Sequence, residues 1–301
     1  MGNGDKIVTC APNFSEGTDM KKIDKIIDEF RGIEGIKLLD YSYNKKFNRS
    51  SAVIMGNPKD VKNAMMNAMG IALELIDMEK HTGDHPRVGA VDVVPFIPLK
   101  NMSMLEAIVL SKEFGKEASL NYNIPIFLYE KSASSPNRVD LYNIRMGGYE
   151  GIKNKLKRPE WKPDFGPDKP HPTGGISIVG ARMPLVCFNI KFNTSNYALI
   201  KKIGKSIRGS ERGFKCCRAL AVKPSNDEAV VLAVVLTDYN KTGLYTVFEM
   251  VRRESEKFGV NIIGTEISGL VSMEALVNSA VYYLQLEDFS MEQVIEYKLM
   301  E

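Results

Sequence analysis

The chain has 301 residues, of which 44% are hydrophobic and 26% charged, and its formal net charge is +3. That length allows two small domains or one large α/β unit, and that balance excludes disordered and fibrous classes. The small charge gives no basic stripe for nucleic acid, and no stretch approaches the ~18 uninterrupted apolar residues of a membrane span. Of the four cysteines, two are adjacent (Cys216, Cys217) and none has CxxC spacing, so reduced cytosolic thiols are the plain reading. The polar start, Met1 to Lys6, reads as no export signal.

Strand and helix alternate along the chain. Ile7–Cys10 predicts a first strand and Pro12–Gly17 a loop. Thr18 or Asp19 then caps a helix in which Ile23, Ile26, Ile27 and Phe30 recur at helical spacing. Ile36–Leu39 and Ser51–Met55 read as strands with a turn near Asn44–Lys46 between them, and Pro58 opens a long helix to about Lys80. His81–Gly89 is a loop and Val91–Pro98 a strand. Ser103–Asn121 is a helix, with Ser103 and Glu106 spaced for a capping box. After the strand Ile124–Tyr129, the proline- and glycine-rich stretch Pro159–Gly175 predicts an ordered connector without regular structure.

Beyond it the alternation resumes. Ile176–Val179, Leu185–Phe192, Ala219–Val222, Ala229–Leu236 and Asn261–Ile267 are strands. Thr194–Ile207, Leu244–Phe258 and Ser272–Leu286 are helices, with a short helix from about Ser290. Each half reads strand–helix–strand–strand–helix–strand, the split βαβ arrangement. The expected fold is therefore α/β (α+β): two ferredoxin-like subdomains with helices outside, over residues 1–180 and 181–301. Clefts between such subdomains are favoured ligand sites.

Two of the chain's three histidines lie in His81-Thr-Gly-Asp-His85-Pro-Arg87-Val-Gly-Ala-Val-Asp92. Histidine moves protons near neutral pH, and a following proline holds His85 in extended backbone. Arg87 and Asp92 add charges of both signs; a surface loop is the bland alternative. His81 and His85 have the spacing of the HExxH histidines, but Gly83 and Pro86 oppose a helix and the glutamate is missing, so no metal site is expected. Asn13 stands in a strand-end loop suited to polar or anionic groups, and Asn48-Arg49 enters a strand after a turn. Trp161 begins an aromatic, proline-rich segment that suits either a planar ring or a packed connector. It runs through Gly166, Pro167, His171, Gly174 and Gly175, with Arg182 beyond. There is no P-loop, GxGxxG or GxSxG motif.

Taken together, APNFSEG, the NR before a strand, GDHPRVGAVDVVPFIP, WKPDFGP, GAR and EISGLV follow one another in the order seen in glutamate formiminotransferases. The chain thus resembles the transferase half of formiminotransferase–cyclodeaminase, without the cyclodeaminase domain. The resemblance implies two α/β subdomains with facing sheets across a folate cleft, a cytosolic homodimer, and tetrahydrofolate as co-substrate without a metal. It implies transfer of a formimino group between N-formimidoyl-L-glutamate and tetrahydrofolate, in histidine degradation. His85 corresponds to the catalytic histidine, and Gly166–Gly175 to the folate-contacting segment.

On this expectation the acceptor amine attacks the formimino carbon, and His85 carries its proton to the departing folate nitrogen. Asp40 or Asp92 would fix the imidazole tautomer. Arg49, Arg87 and Arg182 are the candidates to orient the substrate carboxylates, and Asn13 to meet polar atoms of the pterin or formimino group. Glycine in place of glutamate, a formyl group in place of formimino, and a catalytically silent folate-binding protein stay open as alternatives.

Overall fold

A computed structural model describes residues 5–209, 213–223 and 229–298. The chain divides into two compact units, Met1–Arg182 and Met183–Glu301. Among the described residues, no helix is long and apolar enough to cross a membrane.

The first unit opens with β1 (Ile7–Cys10), β2 (Asn13–Phe14), α1 (Met20–Asp28), β3 (Ile36–Asn44), β4 (Arg49–Gly56), α2 (Pro58–Leu75) and β5 (Val91–Lys100). Both β1 and β2 lie between β4 and β5, and β3 pairs with the outer edge of β4. With β1 and β2 counted as one interrupted strand, the order is fourth–first–third–second, the ferredoxin-like order the alternation implied. The sheet is then extended by α3 (Met104–Tyr122), β6 (Ile126–Glu130) and β7 (Ser177–Ala181), with β7 parallel to both β5 and β6. The strand beginning near Ile176 therefore completes the first sheet.

Amphipathic helices α1, α2 and α3 bury one face of this sheet around Phe14, Ile26, Ile54, Met65, Phe96 and Phe114. Asp19 caps α1, and Ser103 with Glu106 closes the expected capping box on α3. The long helix α2 stops at Leu75, short of Lys80, because Ile76 turns extended and the Met78 N–H is taken by the Thr173 carbonyl. Two short helices that periodicity did not reveal, α4 (Leu141–Arg145) and α5 (Gly148–Lys155), cover part of the opposite face through Ile144 and Ile152. At five and eight residues they are too short for a 3.6-residue pattern to emerge. Along β4, Ser50, Ala52 and Ile54 are buried, while Arg49, Ser51 and Val53 alternate with them and stay half-buried on that opposite face.

The second unit contains β8 (Val186–Phe192), α6 (Tyr197–Ile207), β9 (Cys217–Val222), β10 (Val231–Leu236), α7 (Leu244–Glu256), β11 (Ile262–Ile267), α8 (Met273–Leu284) and the short α9 (Ile295–Lys298). Its order β11-β8-β10-β9 is the same fourth–first–third–second arrangement, antiparallel throughout. Asn196, rather than Thr194 or Ser195, caps α6: its side chain accepts from the Leu199 N–H. The core packs Phe188, Ile190, Leu232 and Val234 against Ile203 and Val247.

Candidate active site

The loop from His81 to Gly89 is tied down along its length. Arg87 Nε lies 3.2 Å from His81 Nδ1. A guanidinium only donates, so that ring nitrogen accepts, and Nε2–H donates to the Asn48 carbonyl at 2.9 Å. Both His81 nitrogens are thus occupied. Arg87 also forks onto Glu150 of α5 at 2.7 and 3.1 Å, so this predicted substrate arginine serves to brace the loop. Asn48, with φ of 46°, accepts from the Gly17 N–H and donates to the Thr82 carbonyl, joining the loop after β2 to the histidine loop. Gly89 has a structural reason: a Cβ there would run into the Ile176 carbonyl oxygen.

His85 is held differently. Its Nδ1 lies 2.7 Å from the Pro86 carbonyl oxygen, which can only accept. Arg49 Nη1, which can only donate, stands 3.3 Å from the same nitrogen; the shorter contact, to Pro86, assigns the hydrogen to Nδ1 and leaves Nε2 with the lone pair. The expectation that Asp40 or Asp92 fixes this tautomer is corrected: a backbone carbonyl does so. Asp40 is exposed on β3, opposite Val53 at a register irregularity. Phe47 meets the imidazole edge-on with ring centres 5.9 Å apart. Burial first, then the positive charges of Arg49 and Arg145, push the His85 pKa down to about 4. The ring is neutral at neutral pH.

Asp92, fully buried at the start of β5, anchors the cluster. Its Oδ2 accepts from Arg49 Nη1 at 2.7 Å and from Arg145 Nη2 at 2.5 Å, and its Oδ1 accepts from the Val88 N–H at 3.0 Å. Burial alone would raise its pKa; Arg145 and Arg49 together overcome that and hold it below the ordinary carboxylate range. Arg49 Nε reaches Asn13 Oδ1 at 3.2 Å, so Asn13 positions Arg49. Burial and the like charge of Arg145 pull the Arg49 pKa down despite Asp92. Two guanidiniums sharing one carboxylate leave a net positive charge beside a neutral imidazole.

Arg145 escaped the sequence reading. Its only local signals are Asp140, whose side chain caps α4, and the Gly147–Gly148 pair that follows.

The connector reaches the same place from another direction. Gly175 bridges to Gly89, the Ala90 N–H donates to the Gly174 carbonyl at 2.9 Å, and the Gly174 N–H donates to His171 Nδ1 at 2.9 Å. His171, Gly174 and Gly175 are thereby brought to the base of the histidine loop. Gly166 and Pro167 stand at the connector's other end, where neighbouring Phe165 pairs with Ile126. Arg182 enters from the end of β7, and its side chain bonds Tyr129, whose phenol also feels the charge of Arg145. The Arg182 N–H bonds the Phe96 carbonyl at 3.1 Å, four residues along β5 from Asp92, or roughly 13 Å at the strand rise.

The first unit, residues 7–182, matches the model of the formiminotransferase domain's N-terminal subdomain, and residues 187–299 match that of the formiminotransferase domain. The chain is 42% identical to a glutamate formimidoyltransferase of Streptococcus pyogenes, covering 98% of this chain and 99% of that one. It is 38% identical to a glutamate formimidoyltransferase of Thermoplasma acidophilum, with 97% of each covered. Against the formimidoyltransferase-cyclodeaminase of Dictyostelium discoideum it is 38% identical but spans 56% of that chain's length. Two domain models that meet where the two sheets divide, and relatives matched from end to end, show that the chain belongs to the formiminotransferase family.

Proposed function

We propose that this protein transfers a formimino group between N-formimidoyl-L-glutamate and tetrahydrofolate, as a folate-dependent step of histidine breakdown. The observation that carries the proposal is the state of His85: a neutral imidazole with its Nδ1 hydrogen fixed and Nε2 free, beside an unbalanced guanidinium charge. The two relatives matched from end to end, both glutamate formimidoyltransferases, support it.

The residues suit this chemistry. Tetrahydrofolate, when bound, supplies a nucleophilic ring nitrogen in one direction and a leaving nitrogen in the other. His85 Nε2 takes the proton released as the attacking nitrogen bonds to the formimino carbon. The same atom returns that proton to the departing nitrogen, which would otherwise leave as an amide anion. Asp92 holds Arg49 and Arg145 in place, and the surplus positive charge suits a substrate carrying carboxylates. The histidine loop and Gly174–Gly175 form one hydrogen-bonded wall against which both reactants are aligned. Four free cysteines fit cytosolic residence, and the apolar side chains exposed on α8, among them Leu276, Tyr282 and Leu284, fit a homodimer.

The test is direct. Purified protein given N-formimidoyl-L-glutamate and tetrahydrofolate should form 5-formimidoyl-tetrahydrofolate. His85→Ala should keep folate binding and lose about 10²–10⁴-fold in turnover. Near-normal turnover in that variant would exclude His85 from the proton transfer.

A further inference from the structure

We infer that Arg145, presented by α4 and held there by Lys155, receives the α-carboxylate of the amino-acid substrate. This rests on the formimino-transfer reading for the identity of the substrate, and on the geometry around Asp92 for the site itself.

Arg145 is only 13% exposed and donates Nη2 to Asp92. Its Nε is buried with no hydrogen-bond partner. That Nε is closed off from solvent, as are those of Arg138 and Arg208, so a carboxylate would meet this guanidinium at Nη1, which makes no hydrogen bond among the described residues. Arg49 and Arg145 share the single carboxylate of Asp92 beside an uncharged His85, so this trio carries one unbalanced positive charge.

Below the site, Lys155 of α5 is buried against α4. Its Nζ donates to the carbonyls of Asn143 at 2.5 Å, Ile144 at 2.7 Å and Met146 at 3.1 Å, the three residues flanking Arg145. A five-residue helix has C-terminal carbonyls without helical partners, and a single ammonium takes up all three. The ammonium also stands 4.0 Å from the Trp161 ring centre. Burial of a lysine for this purpose fixes the backbone from which Arg145 projects. Lys155 is thus a positioning residue acting through Arg145.

The carboxylate is that of the amino acid for a geometric reason. Arg49 Nη1 stands 3.3 Å from the His85 ring, and Arg145 shares with it the same Asp92 oxygen. The nitrogen that gives its proton to His85 has its α-carboxylate one carbon away. The carboxylates of the folate tail lie beyond an aminobenzoyl ring from the reacting nitrogen, and the γ-carboxylate is at the end of a flexible arm.

Calorimetric titration of the intact chain tests this without turnover. L-Glutamate should bind wild type about ten- to hundredfold more tightly than Arg145→Gln. L-Isoglutamine, whose α-carboxylate is an amide, should bind both equally, and tetrahydrofolate affinity should not change. Lys155→Met should lose part of the same glutamate preference. Because the comparison is a ratio between ligands within one variant, it is insensitive to the fraction folded. Should Arg145→Gln not fold, Arg145→Lys, which keeps the charge and loses the fork, should show a reduced ratio. An unchanged ratio, no glutamate binding by wild type, or a loss that falls on tetrahydrofolate instead would overturn the assignment. Glutamate selectivity without any formimino transfer would overturn the proposed reaction and leave Arg145 standing as a carboxylate site.

Discussion

Asp92 and His85 do not touch; they sit on either side of Arg49 Nη1, which is 2.7 Å from the Asp92 carboxylate and 3.3 Å from His85 Nδ1. The carboxylate therefore acts on the imidazole through a cation. It neutralises part of the charge that would otherwise bear on the ring, and it does not receive the ring's hydrogen. Asp92→Asn should destabilise the fold by about 3–5 kcal/mol in equilibrium urea unfolding, because two buried guanidiniums would then face each other without a counter-charge. It should also drive the His85 pKa lower still. A variant as stable as wild type would show that the arginines can turn to solvent when released.

His85 works as a base only when neutral. With its pKa pushed down to about 4, the neutral form dominates throughout the physiological range. The pH profile of kcat/KM should therefore stay flat from neutrality down to about pH 5 and fall only near pH 4. An acid limb at about 6.5, the value of a solvated imidazole, would place the ring in water and away from Arg49.

The same depression sets a direction for stability. The unfolded chain binds a proton at His85 near pH 6.5, while the folded site refuses it until about pH 4. The contribution is fully present above 6.5 and is lost as pH falls through that window. His85→Asn removes the site that the unfolded state protonates. Its melting temperature should drop less than that of wild type between about pH 7 and pH 4.5. A larger drop in the variant would reverse the sign assigned to this group.

Much of this arrangement was legible in residue order. Alternating apolar positions gave the strands, and Asp19 and the Ser103–Glu106 pair marked helix starts at the positions the structure confirms. The His81–Asp92 stretch announced itself because two of three histidines fall within it. What residue order did not reveal is tertiary in origin. The two-residue strand β2 exists only because Asn13 and Phe14 find partners in β4 and β5. Asp92 looked like a tautomer-fixing acid until the fold set Arg49 and Arg145 on it. Arg87 and Arg49 are equally eligible as arginines near a histidine, and only Glu150, 63 residues away, separates their roles. Arg145 lies in a helix too short to carry a pattern.

The connector offers the last expectation. Trp161 does anchor it, tilted against Phe127 with ring centres 6.4 Å apart. The stronger tie is Arg138, whose Nη1 lies 2.7 Å from Asp164 Oδ2 and whose Nη2 donates to the carbonyls of Glu160 and Lys162 at 3.1 and 2.5 Å. Asp164 also accepts from the Leu128 N–H at 2.8 Å, locking the connector to β6. Arg138 is buried and Asp164 largely so, at 7% and 10% exposed, so removing one leaves the other's charge uncompensated. Arg138→Met should cost about 3–5 kcal/mol and expose residues 159–167 to limited proteolysis. The catalytic cluster is not in contact with Arg138, so kcat should hold while the KM for tetrahydrofolate rises. A fall in kcat at unchanged KM would mean that the connector bears on the histidine loop through Gly174 and Gly175 more than on folate, and the assignment of Gly166–Gly175 to folate would have to be given up.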